Sequence, residues 1–201
     1  MQRLFYYPGF VNNLGFIKSS NTFIIEGADG RNLTAGSTNL NQANLILPDR
    51  TNEGYSRLIQ CRTNRSFVDA GGSSEISGAL FGTESGVATP EVPFYVYACS
   101  NTEENEVVFF LSRQRGATVT PVAGDIGDKT TPSGAVTENA FWAIAGITEA
   151  DFAEIPCIMI GSIAMSKDSS NDWTVTAIDG NYGVNRYPKL KGGGVRNYYY
   201  K

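Results

Sequence analysis

Two apolar, aromatic-rich runs, residues 92–99 (VPFYVYAC) and 106–113 (EVVFFLSR), flank the polar stretch 100–105 (SNTEEN). Aromatic and β-branched residues suit a pleated surface, and a short polar connection between two such runs is the signature of a β-hairpin. Side chains alternate between faces along a strand. Here Phe94 and Val96 fall on one face, Tyr95 and Tyr97 on the other, and Phe109 is followed directly by Phe110. Both faces of the hairpin are therefore apolar and must be covered. One face meets a core; the other needs a second sheet or a neighbouring subunit.

The remaining runs extend this pattern. Residues 157–165 (CIMIGSIAM) and 173–178 (WTVTAI) surround the turn-forming DSSND at 168–172, which predicts a second hairpin and a mainly antiparallel sheet. Residues 21–26 (NTFIIE), followed by the Asp-Gly turn signal in ADGRN, read as a strand. Residues 44–49 (NLILPD) form a strand that Pro48 ends, and 54–63 (GYSRLIQCRT) a half-buried returning strand with Tyr55, Leu58, Ile59 and Cys61 as its apolar positions. Residues 140–146 (AFWAIAG) suit a further strand; Thr148 caps a short acidic helix, and SEISGALFG adds one helical turn. The predicted fold is all-β: an antiparallel β-sandwich or jelly-roll-like domain of about eight to ten strands, with extended N- and C-terminal arms.

Four portions follow: an N-terminal arm over 1–20, a β-hairpin-rich portion over 21–70, a sandwich core over 71–187 and a C-terminal arm over 188–201. The Gly/Ser stretch from Asp69 to Ser74 places a soft boundary near 70–90. Near the start, Phe5, Tyr6, Tyr7, Phe10 and Phe16 stand among Pro8, Gly9, Asn12 and Asn13, and the end carries a triple glycine at 192–194 before Tyr198, Tyr199 and Tyr200. Aromatics that cannot build a core of their own pack against something else. Phe5, Tyr6, Tyr7 and Phe10 at one end and Tyr198, Tyr199 and Tyr200 at the other are the candidate interface residues.

Composition narrows the chemistry. There is no histidine, which removes Ser-His-Asp, Cys-His and His-metal sites together. With 16 basic and 20 acidic residues, a net charge of −4 and no basic block, a nucleic-acid surface is not expected. No apolar run is long enough for membrane insertion, and the first sixteen residues lack the unbroken apolar stretch of a secretory signal. Cys61, Cys99 and Cys157 are far apart in apolar runs and read as buried thiols. Glu103, Glu104 and Glu106 fit a solvated hairpin loop rather than a glycosidase pair. Asp168, Asp172 and Asp179 lack the order of a calcium loop, and the glycine-rich pieces lack that of a phosphate-binding loop. No catalytic residue, metal or cofactor is expected, and the chain reads as a non-enzyme; a carboxylate-based hydrolase is the residual alternative.

Several segments together resemble a module of tailed-bacteriophage virion proteins. They are Leu111-Ser112-Arg113 with Thr120-Pro121 downstream, Pro156-Cys157 with Ile160-Gly161-Ser162, and Asn171-Asp172-Trp173-Thr174-Val175. The NLILPD strand with the Gly54 turn is similar to β-modules near the base of phage fibres and spikes, so the resemblance covers about residues 44–187. It implies an external virion component, usually homotrimeric, that is made in the host cytoplasm and acts by binding. A capsid decoration or cement protein that contacts the major capsid protein is one such component. The alternative is a tail fibre or receptor-binding appendage that contacts tail proteins and a host surface receptor.

Overall fold

The computed structural model describes residues 11–19, 22–27, 42–51, 55–61, 65–66, 86–101, 105–115, 118–119, 126–127, 141–143, 156–170 and 172–181. Their elements are β1 (Val11–Asn12), β2 (Leu14–Ser19), β3 (Thr22–Gly27), β4 (Ala43–Pro48), β5 (Ser56–Cys61), β6 (Arg65–Ser66), β7 (Thr89–Ser100), β8 (Val107–Ser112), β9 (Thr118–Val119), β10 (Ile126–Gly127), β11 (Phe141–Ala143), β12 (Cys157–Lys167) and β13 (Trp173–Asn181). No helix occurs among the described residues, and the predicted helical turns at SEISGALFG and after Thr148 lie outside them. The fold is all-β, as the alternating and apolar runs require.

Three sheets form. The largest runs β10-β11-β8-β7-β12-β13, with β9 also paired to β12; β1-β4-β5 and β2-β3-β6 are three-stranded. All pairs are antiparallel except β10 with β11. Both predicted hairpins are present: β7 and β8 pair from Tyr95↔Ser112 to Ser100↔Val107, and β12 pairs β13 down to Lys167↔Trp173.

The two small sheets share one core with the large one. Val11, Leu14, Phe23, Ile25, Leu45, Leu47 and Ile59 on the small sheets are buried in the same cluster as Phe94, Val96, Phe109, Leu111, Ile160, Ile163, Trp173 and Val175 on the large one. This is a sandwich, with one face of the large sheet meeting both small sheets. Burial of this kind is the main favourable term of folding. The core crosses the predicted boundary near 70–90, so the hairpin-rich portion and the sandwich portion fold around common contacts.

Asn13 turns the chain from one small sheet to the other. Val11 pairs with Leu45 of β4, whereas Leu14 pairs with Gly27 of β3. Between them Asn13 has φ of 60°, and its Nδ2 donates to the Gln42 carbonyl at 3.0 Å. Asparagine enters this left-handed region more readily than most residues. Replacing Asn13 with Ala should cost about 1–2 kcal/mol, read as a lower urea midpoint, whereas Gly should recover the backbone part of the loss.

Residues 11–19 therefore correct the predicted arm over 1–20. Val11 and Leu14 are buried, and Phe16, grouped above with the aromatics of the arm, packs on the core with its ring edge-to-face against Phe23 at 5.1 Å. The turn-like Asn12-Asn13 pair that suggested an arm is the corner between two strands.

Bulges decide which residues of β12 and β13 face inward. Met159 pairs with Tyr97 and Gly161 with Val96, so Ile160 is the extra residue against β7. The inward set changes accordingly from Ile158 and Ile160 to Ile163 and Met165. On β13, Thr176 and Asp179 are the extra residues, and the inward set passes from Trp173 and Val175 to Ile178. At the first of these bulges the Thr176 carbonyl accepts a hydrogen bond of 2.7 Å from Lys18 Nζ on β2, joining two sheets.

The opposite face of the large sheet carries a second buried cluster of Tyr97, Cys99, Val108, Phe110 and Cys157, with Tyr95 and Met159 packed against it. Every residue of β8 is buried. The second apolar face of the 92–113 hairpin is thus covered within a single chain, which answers the demand for cover without a neighbouring subunit. The Tyr97 hydroxyl donates to the Gln114 carbonyl, satisfying the one polar atom of the largest side chain in this cluster.

Candidate functional site

The seven candidate interface aromatics, Phe5, Tyr6, Tyr7, Phe10, Tyr198, Tyr199 and Tyr200, lie outside the described residues. The structure therefore neither brings them together nor separates them.

Polar residues in the described loops are engaged in shaping those loops. At the tip of the β7–β8 hairpin, Asn101 N donates to the Glu106 carbonyl at 2.9 Å. Its side-chain Oδ1 accepts from Asn105 N at 2.9 Å and Glu106 N at 3.2 Å, and its Nδ2 donates to Asn105 Oδ1 at 2.8 Å. Glu103 and Glu104 lie outside the described residues. In the β12–β13 turn, Asp168 Oδ1 accepts from Ser170 N at 2.8 Å and Asp172 N at 3.0 Å, while Asp168 N donates to the Asp172 carbonyl at 3.1 Å. A carboxylate used this way closes a turn, as short Asx side chains commonly do. Among the described residues no group of three or more His, Cys, Asp or Glu converges on a metal position. No helix among them is long and apolar enough to cross a membrane.

All three cysteines are buried thiols. Burial pushes the Cys99 thiol well above its usual pKa, a hydrogen bond with Cys157 and that group's charge add to the rise, and Arg50 opposes it. A thiol held protonated in apolar surroundings is a poor nucleophile. Cys61 belongs to the main core, apart from this pair.

The exposed face of β5 departs from the sequence reading. Leu58 of β5 and Tyr55, which precedes the strand, both apolar positions of the predicted half-buried strand, are each 52% exposed, whereas Ile59 and Cys61 of β5 are buried. The strand alternates strictly only from Ile59 onward, so Leu58 points away from the core. Asp49, directly after β4, braces this segment. Asp49 N donates to the Tyr55 carbonyl at 2.9 Å, and Asp49 Oδ1 accepts from Thr51 N and Thr51 Oγ1, each at 2.8 Å. Asp49 Oδ2 also meets Arg57 Nη2 at 3.2 Å. Sequence alone missed this surface, because Leu58 and Ile59 are adjacent apolar residues and either could have faced inward.

An exposed tyrosine and leucine three residues apart suit contact with another surface. The double variant Tyr55→Ser, Leu58→Ser should leave the urea midpoint of the isolated chain nearly unchanged, within about 0.5 kcal/mol, because both side chains are already half in solvent. If these side chains join copies of the chain, it should shift the mass distribution toward smaller species in analytical ultracentrifugation. No protein-family model, curated protein or solved structure matches this chain.

Proposed function

We propose that the chain is a non-enzymatic structural protein on the exterior of a tailed-phage virion, a capsid decoration or cement protein that stabilises the shell. The observation that carries this reading is the exposure of two large apolar side chains, Tyr55 just before β5 and Leu58 within it, where surface is offered for contact and the neighbouring polar groups are engaged in holding turns. The resemblance of residues 44–187 to virion modules supplies the setting. On this reading the partners are other copies of the chain, as a homotrimer, and the major capsid protein. Synthesis takes place in the host cytoplasm, and neither nucleic acid nor membrane is contacted. The case for the trimer rests on the exposed β5 face and the terminal aromatics, since the second face of the large sheet is already covered.

A second reading, a tail fibre or receptor-binding appendage, draws on the β7–β8 hairpin. Asn101 organises the base of its connection, and on this reading the loop 100–105 faces the host receptor. Virions lacking the protein separate the two. Decoration predicts heads that burst at lower temperature while adsorption stays normal. Normal head stability with lost adsorption rejects decoration in favour of the appendage, and particles unchanged in both respects overturn the whole proposal.

A further inference from the structure

Cys99 is the penultimate residue of β7, and Cys157 is the first residue of β12. The antiparallel register ends at Ile158↔Ala98, so one further step sets Cys157 opposite Cys99 on the neighbouring strand. The two side chains belong to one buried cluster. Directly opposed residues on antiparallel strands have Cα atoms about 4.5–5.5 Å apart, within the span of about 4.4–6.8 Å that a disulfide bridges. The thiols also sit where their strands end, and strand ends open at lower free energy than strand centres.

We propose that Cys99 and Cys157 form a latent cross-strand disulfide, closed when the folded chain meets a small-molecule disulfide oxidant. In the reaction, the thiolate of one cysteine attacks the oxidant's S–S bond and releases one small thiol, leaving a mixed disulfide. The second cysteine then loses its proton and attacks the protein sulfur of that mixed disulfide, releasing the second small thiol. One protein disulfide forms, one oxidant disulfide is reduced to two thiols, and the protein's two thiol protons are taken up by the departing thiolates. Burial makes the first attack slow in the closed sandwich, so the pair stays reduced in a reducing compartment and closes in an oxidising one. The bond closes the long loop from 99 to 157, where a cross-link restricts the unfolded chain most.

The test is incubation of the purified full chain with oxidised glutathione at mildly alkaline pH, followed by acid quench, denaturation, alkylation and mass spectrometry. Three alkylatable thiols should fall to one, with the unalkylated protein lighter by two hydrogens and a peptide linking 99 to 157. The melting temperature should rise by about 10 °C. Cys61→Ala should still lose two thiols and Cys99→Ala should form no intramolecular bond. Retention of all three thiols, glutathione adducts that never resolve, or bonds involving Cys61 would each overturn the proposal. Because the wild-type chain gives the primary result, a variant that folds poorly leaves the test standing.

Discussion

Replacing Trp173 with Ala should lower the stability of the fold by about 3–5 kcal/mol, the range for removing a large aromatic from a packed core. Trp173 opens β13 opposite Lys167, is almost completely buried, and meets Phe94 of β7 edge-to-face with ring centroids 5.2 Å apart. It fills the space between strands that hydrogen-bond to either side of β12, so its loss leaves a cavity that rigid neighbours cannot collapse into. Against a total stability of about 5–15 kcal/mol for an ordinary domain, the change is a large fraction. Urea denaturation followed by far-UV circular dichroism measures it. A loss below about 1 kcal/mol would mean that the ring does not hold the sandwich together.

Phe110→Ala should cost a comparable amount, about 3–5 kcal/mol, on the other side of the same sheet. Phe110 pairs across the strands with Tyr97 and is fully buried in the second cluster. Because that cluster is closed within one chain, the difference between variant and wild type should be the same at low and high protein concentration. If a neighbouring subunit covered this face, the stability difference would change with concentration, as mass action requires. Denaturation curves over a wide concentration range decide between the two.

The two hairpins were the most legible part of the fold. At 92–113 the aromatic runs and the polar connection agree, and at 157–178 the DSSND turn separates two apolar runs; local propensity and tertiary pairing point the same way in both. The inward and outward faces of 157–167 were not legible. Every position from Cys157 to Met165 is apolar or small, so no alternation shows, and the extra residue at Ile160 inverts the pattern halfway. At Asn13 a residue type common in turns marked a corner within paired strands, and so the core residues Val11 and Leu14 read as part of an arm. Two-sided burial at the 92–113 hairpin was predicted, but its source was open, since sequence does not distinguish cover by the same chain from cover by another. Leu58 and Ile59 illustrate the same limit on a smaller scale: two adjacent apolar residues, one buried and one a contact candidate, separated only by the register of β5 against β4.

In the proposed function this sandwich works by contact on the outside of a virion. Immunogold labelling of intact, purified phage particles from a lysate that contains the chain, with antibodies raised against the folded protein, tests it most directly. Gold on the particle exterior, distributed over the head surface, is the expected result. Particles free of gold, with label confined to lysed host material, would contradict it.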